Sequence, residues 1–128
     1  MSPESKSQRP EPAHIQVAHV LISFSGAGTE ATRTRAEAEK LAGDVLERAR
    51  KGEDFTGLMK ALSDDSGGGI YQMSNTGIRP QHADEYPRTS MVPAFGNVGF
   101  VLDVGGVGMS TFDPKTSPYG WHIIKRLK

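Results

Sequence analysis

The stretch HIQVAHVLISF, from His14 to Phe24, decides how the rest of the chain can fold. It is rich in β-branched and apolar residues, so it predicts a buried first strand. The glycine-containing sequence from Ser25 to Thr29 ends this strand. Within the strand, Val17, His19 and Leu21 alternate onto one face of the sheet, which places a histidine in an apolar row.

Two helices are predicted after the first strand. The longer one begins near Thr34, which is spaced to form a capping box with Glu37, or alternatively nearer Thr29, and it ends at Gly52. Its apolar stripe comprises Ala38, Leu41, Ala42, Val45 and Ala49. Asp54 is suited to be the N-cap of the shorter helix. The apolar stripe of that helix comprises Phe55, Leu58, Met59 and Leu62.

The second half of the chain predicts one strand, a long loop, a third helix and two closing strands. Ile70 to Met73 is a brief strand, and Ser74 to Thr89 is a polar surface loop of a length that is unusual in a compact domain. Ser90 is placed to cap the third helix, and Pro93 is tolerated in its first turn. One face of this helix comprises Met91, Ala94, Phe95 and Val98, and the closing strands are Val107 to Phe112 and Gly120 to Leu127. The predicted order is therefore β-α-α-β-α-β-β.

Composition limits the classes of function. The chain has 128 residues, which suits one compact domain. Met1 to Ala13 contain three prolines and no large apolar residue after Met1, so we predict a flexible tail followed by a folded domain from His14 to Lys128. Lys+Arg and Asp+Glu both number 15, so the chain lacks the basic footprint of a nucleic-acid binder. Without cysteine, it can form no disulfide, thiolate nucleophile or cysteine metal site.

The hydropathy pattern predicts neither a membrane span nor an export signal. No apolar run approaches the roughly 18 residues that cross a bilayer, and the N-terminus lacks the apolar centre of a signal peptide. We therefore expect a cytoplasmic protein that acts away from membranes. We also expect it to be a monomer. If the chain was trimmed from an exported precursor, the expected compartment is instead periplasmic or extracytoplasmic.

Six motifs follow one another in a fixed order along the chain. They are AHVL (18–21), TRTRAEA (32–38), GEDF with LSDDS (52–55 and 62–66), GGI (68–70), MVPAF (91–95) and GWHII (120–124). Each motif alone is weakly specific, but together they resemble the parvulin family of peptidyl-prolyl cis/trans isomerases, in its branch that does not require phosphate. The resemblance covers nearly the whole folded region. It implies an α+β fold with a four-stranded, mainly antiparallel sheet surrounded by helices.

The chain departs from the family pattern at the rim of the implied pocket. Ser74 to Thr89 is longer than the usual connection at this point. The third helix contains Gly96 and Gly99, and it lacks the acidic residue that often follows the phenylalanine. These departures affect the expected shape of the rim and leave the implied site positions in place.

An apolar slot for a proline ring is the first requirement of such an isomerase. Met91 and Phe95 are four residues apart, so they are expected to share a helix face. By periodicity alone both would be plain core residues. The resemblance implies instead that they bind substrate, with Ile70 as a third wall of the pocket and Tyr119 at its rim.

His19 and His122 are the most informative polar pair, because each is centred in an apolar strand although they lie far apart in the chain. A lone histidine in a strand is usually a hydrogen-bonded core residue, and a metal site would need a third ligand. The resemblance implies that the two histidines hydrogen-bond each other beneath the active site. It also implies catalytic roles for Asp65 and Ser117, whereas from the residues alone Asp64 and Asp65 would be a solvated turn.

The expected activity is isomerisation of peptide bonds before proline, by a non-covalent mechanism that requires no cofactor and no metal. The expected partners are proline-containing peptides or unfolded proteins. The loop from Ser23 to Thr29 contains no lysine or arginine, so we predict no dependence on phosphate before the proline. The alternative is a non-catalytic chaperone or peptide-binding module with the same fold. A third reading, as a metal or nucleic-acid protein, is disfavoured by the neutral charge, the absence of cysteine and the presence of only four histidines.

Overall fold

The computed structural model describes residues 10–65, 67 and 69–128, which form three α-helices and one five-stranded sheet. The strands are β1 (His14–Ile22), β2 (Ile70–Ser74), β3 (Glu85–Pro87), β4 (Val107–Ser110) and β5 (Trp121–Arg126). The helices are α1 (Arg35–Arg50), α2 (Phe55–Leu62) and α3 (Pro93–Gly99), and a 3₁₀ turn (Arg88–Ser90) precedes α3. Most of the predicted tail (1–13) and the motif residues Ser66 and Gly68 lie outside the described residues.

The sheet has the order β3-β2-β1-β5-β4, and every neighbouring pair is antiparallel except β2 and β3. The expected α+β class and mainly antiparallel sheet are confirmed. The strand count is five and not four, because β3 lies within the predicted loop Ser74–Thr89. This short strand is held by the buried carboxylate of Glu85, which lies 2.7 Å from Nδ1 of His14 and accepts the backbone N–H of Gln81 at 2.6 Å.

β1 is the centre of the molecule, since it is buried on both faces over most of its length. On one face, Ala18, Val20 and Ile22 pack with α1 and α2 in the larger hydrophobic core. On the other face, Ile15 and Val17 pack beneath α3 in a smaller core. Successive side chains of a strand point to opposite faces. His19 therefore lies on the face of α3, away from the larger core.

The N-terminal caps of the first two helices follow the sequence prediction. The side chain of Thr34 accepts the N–H of Glu37 at 3.1 Å, and the Glu37 carboxylate accepts the N–H of Thr34 at 2.7 Å, which completes the capping box. The Asp54 carboxylate accepts the N–H of Gly57 at 3.1 Å. Each cap satisfies N–H groups that have no partner inside the helix.

The third helix begins later than predicted. Pro93 is its first residue, and Ser90 instead ends the preceding 3₁₀ turn. A residue before proline is excluded from the helical region by a steric clash, and Val92 is accordingly extended, with ψ of 139°. Met91 is extended as well, so the prediction that Met91 and Phe95 share a helix face is wrong.

The chain before β1 contacts the segment that leads to α3. The Glu11 carboxylate accepts hydrogen bonds from Arg88 at 2.7 Å and from Asn75 at 3.1 Å. The flexibility predicted for residues 1–13 stays a prediction. Among the described residues, no helix combines the length and apolar character needed to cross a membrane.

Candidate active site

An open cavity of about 710 Å³ lies on the α3 side of the sheet. Its apolar wall is formed by Met91, Val92 and Phe95 at the start of α3. Polar side chains from β1, β2, β5 and the loop after α2 also line the cavity, namely His19, Tyr71, His122 and Asp65. The loop between β1 and α1 and the turn before β5 complete the lining with residues that include Gly28, Glu30 and Tyr119.

A chain of hydrogen bonds connects Asp65 to both histidines. Nε2 of His19 lies 2.8 Å from Oδ2 of Asp65, and Nδ1 of His19 lies 3.2 Å from Nδ1 of His122. An ionised carboxylate only accepts, so we assign the proton of His19 to Nε2. Its Nδ1 then accepts from the Nδ1–H of His122. The Nε2 of His122 is consequently an acceptor, and it is buried without a hydrogen-bond partner among the described residues.

Asp65 is held as a fixed anion by three donors. Its Oδ2 accepts the Tyr71 hydroxyl at 2.7 Å in addition to His19, and its Oδ1 accepts the N–H of Gly67 at 2.8 Å. Burial by itself raises the pKa of Asp65, but the bonds from Gly67, Tyr71 and His19 outweigh it, so the pKa lies below its ordinary value. The carboxylate is therefore ionised at neutral pH.

Both histidines are neutral at pH 7. Burial lowers the pKa of His19, and the hydrogen bond and charge of Asp65 only partly offset this effect. Burial, together with repulsion from His19, lowers the pKa of His122 to about 3. Neutral imidazoles at these positions fix the direction of each hydrogen bond in the chain.

Aromatic rings enclose the histidine pair. The ring of Phe95 meets His19 edge-on, with 4.7 Å between centroids, and lies 4.9 Å from His122. Tyr71 lies 5.4 Å from His19 and 5.5 Å from Phe95. These contacts place an apolar ring and a fixed carboxylate in one cavity.

The structure brings most of the predicted site residues together. The cavity is lined by His19, Asp65, Met91, Phe95, Tyr119 and His122. Asp65, and not Asp64, is the residue beside His19, whereas Asp64 binds Arg33 and the N–H of Ser23. The functional roles assigned to these residues stay predictions.

Ile70 does not form a wall of the cavity, so that prediction is corrected. Its side chain is 53% exposed, and it pairs across the sheet with Ala18, which faces the larger core. Tyr71 pairs with Val17 on the face of α3 and takes the place expected for Ile70. The alternation of side chains along β2 was the signal that could have identified Tyr71.

Ser117 is likewise absent from the cavity lining. Its buried hydroxyl donates to the carbonyl of Gly120 at 2.6 Å and lies 3.4 Å from the hydroxyl of Ser110. These contacts stabilise the turn that leads into β5. Among the described residues, no group of three or more histidine, cysteine or acidic side chains is arranged to hold a metal ion.

Comparison with known proteins gives a consistent family. A family model described as the PPIC-type PPIase domain matches residues 4–128. The chain is 34% identical over 110 residues to the chaperone SurA of Chromohalobacter salexigens, which is 86% of this chain and 21% of that protein. It is 37% identical over 89 residues to the foldase protein PrsA of Caldanaerobacter subterraneus, which is 68% of this chain and 24% of that protein.

Solved structures agree with the fold. The TbPIN1 solution structure matches with a TM-score of 0.67 at 23% identity, over 91% of this chain and 98% of that one. The peptidyl-prolyl isomerase ESS1 of Candida albicans matches with a TM-score of 0.61 at 25% identity, over 91% and 63% of the two chains. The match thus spans 98% and 63% of these two solved chains. By contrast, the chain spans only 21% and 24% of the length of the SurA and PrsA relatives.

Proposed function

Because this chain belongs to the family of PPIC-type PPIase domains, we propose that it catalyses cis/trans isomerisation of peptide bonds that precede proline. The observation that supports this activity most directly is that the apolar side chains of Met91 and Phe95 and the fixed carboxylate of Asp65 line one cavity. Its proposed substrates are flexible or unfolded proline-containing chains.

The reaction needs a twisted amide and no covalent step. Rotation about a peptide bond faces a barrier of about 18–20 kcal/mol, because twisting removes the resonance of the amide. The two isomers before proline are nearly equal in free energy, yet they exchange in tens to hundreds of seconds. A catalyst therefore has to bind the twisted amide more tightly than either planar form.

The cavity offers two ways to favour the twisted amide. Met91 and Phe95 provide an apolar surface for the proline ring, and an apolar wall disfavours the more polar planar amide. A carboxylate near the substrate carbonyl destabilises the partial negative charge that resonance places on the planar oxygen. Asp65 would supply this repulsion, and His19 and His122 would hold it in place as positioning residues.

The same cavity supports activity on unphosphorylated substrates. A phosphate dianion requires fixed cations, and no lysine or arginine lines the cavity among the described residues. Arg33, which contacts the lining residue Asp64, is already paired with the Asp64 carboxylate and the Ser23 carbonyl. We therefore propose that phosphate before the proline does not assist binding.

A non-catalytic role as a peptide-binding chaperone module is the second candidate. It is favoured by the match to a protein named chaperone SurA, of which this chain spans 21%. The two roles use the same apolar wall. They differ in whether bound peptides exchange between isomers faster than free peptides.

Exchange NMR on unphosphorylated peptides with one proline tests the proposal. We expect the intact protein to accelerate exchange and Met91→Ala to lower kcat/KM by about tenfold or more, since the slot for the proline ring is lost. Met109→Ala is the matched control, because this methionine packs against the larger core and does not line the cavity. If the intact protein binds peptides without accelerating exchange, the chaperone role replaces the isomerase.

Asp65→Asn measures the electrostatic contribution. We expect a loss of about 10- to 100-fold in kcat/KM with little change in KM, because the repulsion acts on the planar amide relative to the twisted one. Asp84→Asn removes an exposed carboxylate outside the cavity and serves as the control. Equal activity of both variants would exclude the proposed role of Asp65.

A further inference from the structure

We infer that this cavity selects substrates with a basic side chain next to the proline, and that Glu30 is the residue that makes the selection. The inference rests on the proposed function, because it assigns a substrate preference to the same cavity. Glu30 lies in the loop between β1 and α1, which forms part of the cavity lining together with Gly28, Thr29 and Ala31.

The charges on the cavity lining are all negative. Glu30, Asp64 and Asp65 line the cavity, whereas no lysine or arginine does so among the described residues. Asp64 is neutralised by Arg33, whose guanidinium lies 2.5 Å from its carboxylate. One of the three negative charges is thus cancelled before a substrate arrives.

Asp65 keeps its charge despite its hydrogen bonds. Its donors are the hydroxyl of Tyr71, a backbone N–H and the imidazole of His19, which burial keeps neutral at pH 7. Neutral donors stabilise a carboxylate without cancelling its net charge. A substrate in the cavity therefore meets a fixed negative charge on this side.

Glu30 supplies the second uncompensated charge. It is exposed, and its carboxylate has no hydrogen bond or ion pair with any described residue. Among the described residues that line the cavity, Glu30 is thus the acidic side chain without a hydrogen-bond or ion-pair partner, and it can pair with a substrate cation.

The loop restrains the backbone on both sides of Glu30 before substrate binds. The Thr29 hydroxyl donates to the hydroxyl of Ser23 at 2.8 Å, and the N–H of Ala31 donates to the Thr29 oxygen at 3.2 Å. The Arg33 guanidinium also donates to the Ser23 carbonyl at 2.9 Å. Both neighbours of Glu30 are therefore tied to the loop, which lowers the entropy cost of an ion pair with the substrate.

The expected preference is modest and depends on salt. In bulk water, unit charges separated by about 6–8 Å change a binding constant by roughly threefold, and the lower effective dielectric constant near a protein surface increases this factor to about tenfold or more. The effect should shrink as the salt concentration rises, since mobile ions screen exposed charges. A preference that salt does not change would reflect shape or hydrophobic contact instead.

Six matched peptides test the inference, with Lys, Gln or Glu placed either directly before or directly after one proline. Exchange NMR gives kcat/KM, and chemical-shift titration of the protein gives Kd independently of catalysis. We expect the Lys peptide to exceed the Glu peptide by about tenfold at one of the two positions at low salt, with Gln between them. Equal values for Lys and Glu at both positions overturn the inference and leave the isomerase proposal standing.

Glu30→Lys assigns the selection to one residue. We expect this variant to reverse the Lys-to-Glu ratio, in kcat/KM or in Kd, at the position where the intact protein prefers Lys. Glu39→Lys is the matched control, because Glu39 is exposed on α1, lies outside the cavity and produces the same change of net charge. A reversal in both variants, or in neither, overturns the role of Glu30.

The two readouts separate the inference from the proposed function. Binding that prefers Lys without accelerated exchange supports the selection by Glu30 and refutes the isomerase. Accelerated exchange without a charge preference supports the isomerase and refutes the selection by Glu30. If no peptide binds and none exchanges faster, both are refuted.

Discussion

At the scale of single residues, the hydroxyl of Tyr71 helps to lower the pKa of Asp65. It donates to the same carboxylate oxygen as His19, at 2.7 Å against 2.8 Å. Burial raises the pKa of Asp65, while the bonds from Gly67, Tyr71 and His19 lower it below its ordinary value. Tyr71 therefore helps to keep Asp65 ionised against the opposing effect of burial.

Tyr71→Phe should raise the pKa of Asp65, because the ring is retained and one donor to the charged form is lost. A group with a lowered pKa loses its charge as the pH falls, so the loss of activity at acidic pH should begin at a higher pH in the variant. A ¹³C titration of the Asp65 carboxyl group and a pH profile of exchange measure both effects. Tyr86→Phe is the control, since Tyr86 touches the Tyr71 ring and is exposed. Identical titrations in both variants would contradict the role of Tyr71.

His122 should make the fold less stable in mild acid. Burial lowers its pKa to about 3, whereas an unfolded histidine has a pKa near 6.5. Between these values the unfolded chain binds a proton that the folded chain does not, so stability is full above about pH 6.5 and declines toward pH 3. The free energy of unfolding should fall by about 2 kcal/mol between pH 8 and pH 5 from this residue, and His19 should act in the same direction.

Urea unfolding at several pH values tests this linkage. His122→Gln should reduce the loss of stability between pH 8 and pH 5 by about 2 kcal/mol, whatever its effect on stability at pH 8. His82→Gln changes an exposed histidine and should retain the pH dependence of the intact protein. The explanation fails if His122→Gln and the intact protein show the same slope.

At the scale of elements, Gly96 is required by the packing of Arg88 across α3. A Cβ at this position would overlap the Arg88 side chain, whose guanidinium lies 4.8 Å from the centre of the Phe100 ring. From the 3₁₀ turn before α3, Arg88 also donates hydrogen bonds to Glu11 and Asn75. Gly96 lowers the intrinsic helix propensity of α3, but it leaves room for the contact between Arg88 and Phe100 that positions this helix.

The same substitution should have opposite effects in two helices. Gly96→Ala should lower the free energy of unfolding by about 1–3 kcal/mol, because Arg88 has to move. Gly43→Ala in the exposed face of α1 should raise it by about 0.5–1 kcal/mol, since no atom lies near the added methyl group and the helix propensity improves. Thermal unfolding of both variants measures the two shifts. If both Gly96→Ala and Gly43→Ala lowered the stability, helix propensity and the Arg88 contact would not explain the effects of the two substitutions.

Elements that depend on contacts between residues close in the chain were predictable from the sequence. Elements that depend on contacts between distant residues were not. The capping box at Thr34 and the cap at Asp54 involve residues within three positions, and both were identified. β3 was missed because it has three residues and depends on a contact between Glu85 and His14, which are 71 positions apart. The start of α3 was misplaced because the restriction imposed by Pro93 on Val92 outweighs the apparent spacing of apolar residues.

The residues of the candidate site were predicted correctly where the family motifs and the alternation of side chains along the strands indicate the same residue. His19, Asp65 and His122 were placed by their motifs, and they meet although Asp65 is 46 positions from His19. Ile70 was chosen where Tyr71 lies, because a shift of one residue along a strand exchanges the two faces of the sheet. The alternation of Tyr71 with Met73 along β2 favours Tyr71, and the pairing of Tyr71 with Val17 places it on the face of α3.

At the scale of the whole molecule, the sheet separates the larger core from the cavity. Leu58 of α2 is 2% exposed and packs with Val20 and Ile22 on one face, while Met91 and Phe95 line the cavity on the other. A substitution on the first face should therefore lower the fraction of molecules that are folded. A substitution in the cavity should instead lower the catalytic activity of each folded molecule.

Leu58→Ala should lower the free energy of unfolding by about 2–5 kcal/mol, because it removes buried methyl groups and leaves a void. Exchange catalysis per folded molecule, measured at low temperature with the folded fraction taken from circular dichroism, should stay close to that of the intact protein. Met91→Ala should show the reverse pattern, with a small loss of stability and a large loss of catalysis. If Leu58→Ala reduced catalysis per folded molecule as strongly as Met91→Ala, strain would be passing through β1 to His19, and the sheet would couple its two faces.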